Sequence, residues 1–302
     1  MGQAYSFNMV STGNHEDFEK LAYNVSPEVT PLVSMIGKES VENDVFYWNE
    51  DSLQAPATTP IIEGASITAT DVTAPTKHYN YCSQLERTFL ISDKQQKIQQ
   101  KQGGSFSAEK QLRNRTIEVR RDFEKCLSTN STRVAGDSVT AMATAGLAYY
   151  INTTNFSTAN VVGAASAQIT EAMLLQAMQA QWDDHEPENM AVLMSSTNKM
   201  RVDAFSGGAV KNTNVGDKKL TNTVKIYESS FGTFKMIPSR YLTNTDVYVL
   251  DLNYIKSATL IPIEHKPLGL TKHAEEHMVQ IVGGLKVCAI QAHARIQTLS
   301  AS

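Results

Sequence analysis

The stretch SFSAEKQLRNRTIEVRRDFEKCLSTN, Ser105 to Asn130, decides how the rest of this chain is read. Leu112, Thr116, Val119, Phe123 and the neighbours Cys126 and Leu127 recur at steps of three and four, which places them on one face of a helix. Arg113, Arg115, Arg120, Arg121 and Lys125 lie mostly off that line, among Glu109, Glu118, Asp122 and Glu124, and read as a solvated charged face. Glu109 and Arg113 stand i,i+4 in the favourable order. Gly103-Gly104 breaks the chain beforehand, and Ser105 or Ser107 can cap the first amides. No Pro or Gly interrupts the run, so the spacing predicts a rod of about 35 Å. The plain reading is a core helix with a charged outer side. The segments around it bear on that reading.

Upstream, VSPEVTPLVSMIGKE (Val25 to Glu39) carries two prolines, which argue against a stable helix and for extended chain. It also carries Val29, Leu32, Val33, Met35 and Ile36. An extended arm with apolar teeth needs a surface to lie on, either its own domain, as for an ordinary N-terminal strand, or a neighbouring subunit. Between arm and helix stand two β-like runs rich in aromatic and β-branched residues, Val41 to Trp48 and Lys77 to Ile91. The segment between them, Asp51 to Pro75, is rich in Ala, Thr and Pro, with Glu63-Gly64 as a bend. So long a connection without a core of its own is usually a contact device. The whole reads as a projecting β-hairpin. Because isolated hairpins are marginal in water, it is expected to lean on a neighbour.

Downstream, Arg133 to Ala165 is expected to form loops and short strands. Ile169 to His185 reads as a second helix capped by Thr170 or Ser166, and Met190 to Met194 as a buried strand. Ser195 caps a short helix running through Phe205, and Ser206 to Thr221 is a polar loop. Strands are expected at Val224–Glu228, Thr233–Pro238, Val247–Asp251 and Ala258–Pro262, with a last long strand from His277 to Leu299 kinked at Gly283-Gly284.

With 302 residues, 41% hydrophobic and 19% charged, the composition is that of a folded chain. A formal net charge of −4 argues against a nucleic-acid binder, which needs a basic surface. Cys82, Cys126 and Cys288 lack metal-ligand spacing and read as reduced thiols. No signal-peptide pattern and no apolar run of membrane-spanning length is present, so neither secretion nor a membrane is expected. His273, Glu276 and His277 fit an H-x-x-E-H zinc pattern, but a β-type run follows where the chemistry needs a helix. Asp183 to Glu186 reads as the polar end of a helix rather than a metal cluster, and Gly37-Lys38 lacks a phosphate-binding loop. No catalytic, cofactor or metal set emerges, and a metal-dependent hydrolase stands as a distant alternative.

Four stretches carry a resemblance: SPEVTPLVSMIGK (Ser26 to Lys38), EGASITATDVTAPTKHYNYCSQLERTFLISDK (Glu63 to Lys94), LRNRTIEVRRDFEKCL (Leu112 to Leu127) and VYVLDLNYIKSATL (Val247 to Leu260). In combination and order they resemble tailed-bacteriophage major capsid proteins of the HK-ninety-seven-like fold. The resemblance implies an α+β fold with an N-terminal arm at 1–40 and an extended β-hairpin loop at 41–93. It further implies a peripheral domain with the spine helix at 94–131 and 246–302, and a mixed α/β axial domain at 132–245. It implies a structural protein, not an enzyme and without cofactors, made in the bacterial host cytoplasm and resident in the virion. Hexamers and pentamers would close into an icosahedral head around double-stranded DNA, held without sequence-specific contacts. A portal and a separate scaffolding protein are the implied partners; an encapsulin-like cellular compartment is the alternative. The loop 51–75 holds no Lys, so covalent welding through a loop lysine is not expected. Candidate inter-subunit contacts are Val29, Leu32, Val33 and Ile36 on the arm, Pro56, Pro60 and Glu63 on the loop, and Arg113, Arg115, Arg120 and Arg121 on the spine.

Overall fold

The computed structural model describes residues 29–53, 56, 58, 60–66, 72, 74–92, 94, 108–152, 160–205, 225–271 and 274–300. The first part of the arm, the caps Ser105 and Ser107, the polar loop 206–221 and His273 lie outside them. The predicted spine is a 22-residue helix, α2, Ala108–Thr129, counted after the short α1, Pro31–Met35. Its stripe is core as expected: Val119 and Leu127 are fully buried and Phe123 nearly so.

Two sheets organise the subunit. In the first, β1 (Gly37–Ser40) pairs in parallel with β10 (Ile255–Thr271), which pairs antiparallel with β11 (Ala274–Val287), and β11 with β4 (Ser83–Ser92). Helix α2 packs on the β4–β11 side, where Phe123, Val119 and Leu127 share a core with Val279, Ile281 and Leu285. The second sheet has the order β5-β12-β9-β6-β8-β7. These strands are Val161–Gly163, Ala294–Gln297, Val247–Asp251, Met190–Met194, Gly232–Pro238 and Ile226–Ser229 respectively. The central strands β6 and β9 are buried at every residue. One face, with Val192, Met194, Val247 and Val249, packs with α4 (Glu171–Asp184) through Leu174, Ala177 and Met178. The other, with Ala191, Leu193, Tyr248 and Leu250, joins the core of the spine helix. Burial on both faces is why these strands read as continuous apolar runs.

Caps fall where the sequence placed two of them. Thr170 accepts the Met173 amide at the start of α4, and Ser195 accepts the Asn198 amide at the start of α5, Ser196–Asp203. A short α3, Leu147–Tyr150, lies between the spine and the second sheet.

Four expectations are corrected. Val25 to Glu39 is not extended throughout: Pro31 stands at the first position of α1, where its missing amide costs nothing and its fixed φ suits the helix. The next two amides, Leu32 and Val33, each donate to a carboxylate oxygen of Glu124 at 2.8 Å. The run Lys77 to Ile91 is not one strand; it breaks at Cys82 into β3 (Thr76–Tyr81) and β4, which enter different sheets. Gly283-Gly284 is not a kink: β11 runs through it, and the glycines permit close approach. A Cβ on Gly284 would sit 2.6 Å from the Tyr81 carbonyl oxygen. That long strand ends at Val287, and the chain crosses into the second sheet as β12. The division expected at 245/246 therefore does not follow the sheets, because β9 and β12 both belong to the second one.

The motifs set aside on sequence land in ordinary places. Glu276 and His277 are successive residues of β11 and so point to opposite faces, unlike a zinc helix. Asp184 ends α4 and His185 follows as its C-cap, with Nε2 3.5 Å from the buried Asp251 carboxylate. Among the described residues no three His, Cys, Asp or Glu converge as a metal site, and no helix is long and apolar enough to cross a membrane.

Candidate inter-subunit surfaces

The hairpin is two strands, β2 (Val45–Glu50) and β3, in antiparallel register with Tyr47 opposite Tyr79 and Glu50 opposite Thr76. Its base is anchored on its own subunit, which corrects the expectation that a neighbour holds it. Alternation turns Phe46 and Trp48 into the core while Tyr47 stays exposed beside Tyr79, with Lys77 Nζ 4.1 Å from the Tyr47 ring centre. Asn80, fully buried, acts as a bolt: its Nδ2 lies 2.7 Å from the Leu285 carbonyl and 3.1 Å from that of Ala145, and its Oδ1 accepts the Ala145 amide. Glu50 accepts the Ile290 amide and pairs with His78. Neither Asn80 nor Glu50 stood out in sequence, since one polar residue in an aromatic strand carries no sign of its distant partners.

Beyond this base the described part of the loop is open. Leu53 is 99% exposed, Val72 96%, and Ile61 and Ile62 82% each. Pro56, Pro60 and Glu63 are exposed as well. Gly64 takes φ +82°, a conformation that glycine enters freely, and the Ala65 amide closes the bend on the Ile62 carbonyl. The bend at Glu63-Gly64 is thus where the sequence put it. The apolar character of the loop is hard to read in sequence, because five aliphatics scattered among many small polar residues do not register as a pattern.

The spine helix presents a cleft of about 720 Å³ lined by Arg87, Arg115, Glu118, Arg121, Asp122, Lys125, Arg240 and Tyr241. Five cationic side chains face two carboxylates there. Arg87 Nε lies 2.7 Å from Asp122 Oδ2, which holds the Arg87 guanidinium above its ordinary value, and Arg115 pairs with Glu118. Arg115 Nε and Arg121 Nε are buried without a hydrogen-bond partner. Two of the four candidate arginines, Arg115 and Arg121, therefore belong to one site. Arg113 and Arg120 are exposed and do not line it. Arg87 and Arg240 complete it from β4 and from the turn after β8, a convergence invisible along the chain. On the arm, Val29 is 72% exposed and Val33 half-buried, whereas Leu32 is fully buried and Ile36 nearly so in their own subunit's core. Leu32 thus has no surface left for a neighbour.

A subunit with an anchored hairpin, a spine helix under one sheet and a second mixed sheet has the architecture of shell-forming proteins of the HK-ninety-seven-like fold. The capsid of an empty GTA particle superposes with a TM-score of 0.69 at 12% identity, covering 98% of this chain and 100% of that one. The capsid of cyanophage P-SCSP1u gives 0.63 at 11% identity, with 95% and 93% covered. A SrpI encapsulin complex from Synechococcus elongatus gives 0.61 at 12% identity, with 96% and 94% covered. No curated protein sequence matches the chain. The family is settled by sequence: the chain belongs to the SU10 major capsid protein family, whose model matches residues 4–300. It is a major capsid protein of phage type, a component of a shell built from many copies. That match favours the phage capsid over the encapsulin reading.

Proposed function

We propose that this chain closes, as hexamers and pentamers, into an icosahedral phage head that encloses double-stranded DNA, and that it does so without catalysing a reaction. The family match over residues 4–300 carries this reading. Synthesis in the bacterial host cytoplasm, a portal and a separate scaffolding protein belong to the same proposal. The first sheet with α2 serves as the peripheral part, and the second sheet with α4 as the axial part. The net charge of −4 suits a wall that must not grip the packaged DNA.

The hairpin is the device that joins subunits. Its base is rigid and its tip offers Leu53, Ile61, Ile62 and Val72 to solvent. Residues 51–75 contain Asp51, Glu63 and Asp71 and no Lys or Arg. A strand loop of that charge is complementary to the cleft beside the spine helix of a neighbour, so Glu63 meets Arg115 and Arg121 across the interface. Val29 and Val33 add apolar contact at the arm root, and Pro56 and Pro60 limit the entropy lost on docking.

The test is to purify particles from producing cells. DNA-filled icosahedral heads with this chain as the most abundant protein are expected. Shells that enclose protein cargo and no DNA would overturn the head in favour of a cellular compartment. Within it, Glu63→Arg should lower shell yield, and Glu63→Arg combined with Arg121→Glu should restore it in part; equal loss in both would sink the pairing.

A further inference from the structure

His265 on β10 and His277 on β11 are twelve residues apart in sequence, yet His265 Nε2 and His277 Nδ1 stand 3.1 Å from each other. In the β10–β11 register His265 lies opposite Val279 and His277 opposite Pro267, so the two imidazoles are diagonal neighbours on one face. We propose that His265 and His277 form a chelating site for one divalent transition-metal ion of the Zn²⁺, Ni²⁺, Cu²⁺ class, which clamps β10 to β11.

The geometry carries the assignment. A metal about 2.0–2.1 Å from each nitrogen would see the two ligands at an angle of about 100°, between square-planar and tetrahedral values. Little ring movement is needed. The His277 ring is already held by stacking on Phe89, with centroids 4.9 Å apart and planes 30° apart. Its other nitrogen, Nε2, is buried, makes no hydrogen bond and lies 3.7 Å from Glu275 Oε2. Nδ1 is the ring nitrogen that faces His265. Two nitrogens with water in the remaining positions make an exchangeable site rather than a sealed one, which suits a side chain as exposed as His265.

The place matters. The β10–β11 ladder shifts register between Ile261 and Glu264 and again between Pro267 and Gly269, on either side of His265. Pairing is locally disrupted at such irregularities. A metal bridging the strands here would tie together the regularly paired stretch that lies between these two irregularities. H-x-x-E-H had drawn His277 into a zinc motif with the wrong partners; its partner is His265, which only the strand register brings near.

The experiment uses the full chain stripped with a chelator and titrated with Ni²⁺, Cu²⁺ or, as a control, Mg²⁺. Calorimetry should find a Ni²⁺ site that is weakened at least tenfold in His265→Asn, a change at an exposed ring. Ni²⁺ should raise the melting temperature of the wild type, not of His265→Asn, and Mg²⁺ should move neither. Electron paramagnetic resonance of the Cu²⁺ form should show two coupled imidazole nitrogens in the wild type and fewer in the variant. Background binding by the other five histidines persists in both proteins, so the difference decides. Equal Ni²⁺ affinity in wild type and His265→Asn, or no metal-dependent rise in melting, would overturn the site; this outcome leaves the shell reading untouched.

Discussion

Glu124 sits among the charges of the spine helix in sequence, but it is fully buried and both of its carboxylate oxygens are taken by the first amides of α1. Periodicity alone could not place it, because it adjoins Phe123 at the edge of the apolar stripe and its partners lie over ninety residues away. Burial raises its carboxyl above the ordinary 4.5, an effect the amides of Val33 and Leu32 oppose. A carboxyl raised in the fold holds its proton more tightly there than in the unfolded chain. Its contribution therefore favours the fold most below pH 4.5 and is lost as pH rises through the raised value. Glu124→Gln keeps one acceptor and should leave one amide unmatched, costing about 1–3 kcal/mol in denaturant melts of the unassembled subunit. It should also remove this part of the pH dependence. His293 has the opposite sign. Completely buried, with Nδ1 accepting the Asp251 amide, it is held down from 6.5 to about 3 by desolvation, against the pull of Asp251. It stays neutral in the fold while the unfolded chain takes up a proton. Stability should thus fall by up to about 1.4 kcal/mol per pH unit as pH drops from 6.5 towards 3. His293→Gln should flatten that limb, and an imidazole resonance still titrating near 6.5 in the folded protein would contradict the assignment.

At the level of elements, what could be read from the chain was what neighbours in sequence control. The spine stripe, the Thr170 and Ser195 caps, the buried run Met190 to Met194 and the bend at Glu63-Gly64 all depend on local spacing. Helix α1 was missed because its existence is tertiary: five residues cannot pay for helix nucleation alone, and Glu124 supplies what the segment lacks. The arm is therefore two things. Residues from Thr30 onward are part of the subunit core through Leu32 and Ile36, whereas Val29 just before them is exposed. Two truncations separate the parts. Removal of residues 1–28, which keeps Thr30, Leu32 and Ile36, should leave the unfolding free energy of the unassembled subunit within about 0.5 kcal/mol of wild type. Removal of residues 1–34 also deletes Leu32 and strands Glu124, and should cost at least the 2–5 kcal/mol of a buried leucine truncation, roughly. Equal stability of the two would mean that α1 does not hold the fold.

For the whole molecule, the order of parts was legible and their assignment to sheets was not. Arm, hairpin, spine and mixed domain follow one another in sequence, but β3 and β4 separate over a single residue and β12 returns to a sheet begun more than a hundred residues earlier. Sheet membership is decided by long-range pairing, of which a single sequence holds no local trace. The same holds for the cleft, whose Arg87, Arg121 and Arg240 come from three elements. In the proposed shell the hairpin loop joins subunits. Its base spends Trp48, Phe46 and Asn80 on the core, whereas Leu53, Ile61, Ile62 and Val72 contribute nothing to the isolated fold that water would not replace. Shortening Ala55 to Thr73 to a Gly-Ser turn removes the exposed Ile61, Ile62 and Val72 and leaves the β2–β3 register untouched. Melting of the unassembled subunit should change by less than about 1 kcal/mol, the scale of surface substitutions. Shell yield, counted by sedimentation and electron microscopy, should fall almost to nothing, because each lost apolar contact recurs at every subunit of a closed surface. Exposed ion pairs alone, worth about 0–1 kcal/mol each, would not give so steep a loss. Raising the salt should consequently weaken assembly of the intact chain less than removing the loop does. A shortened chain that assembles normally would place the joining surface elsewhere, and one that fails to fold would show that the loop belongs to the core.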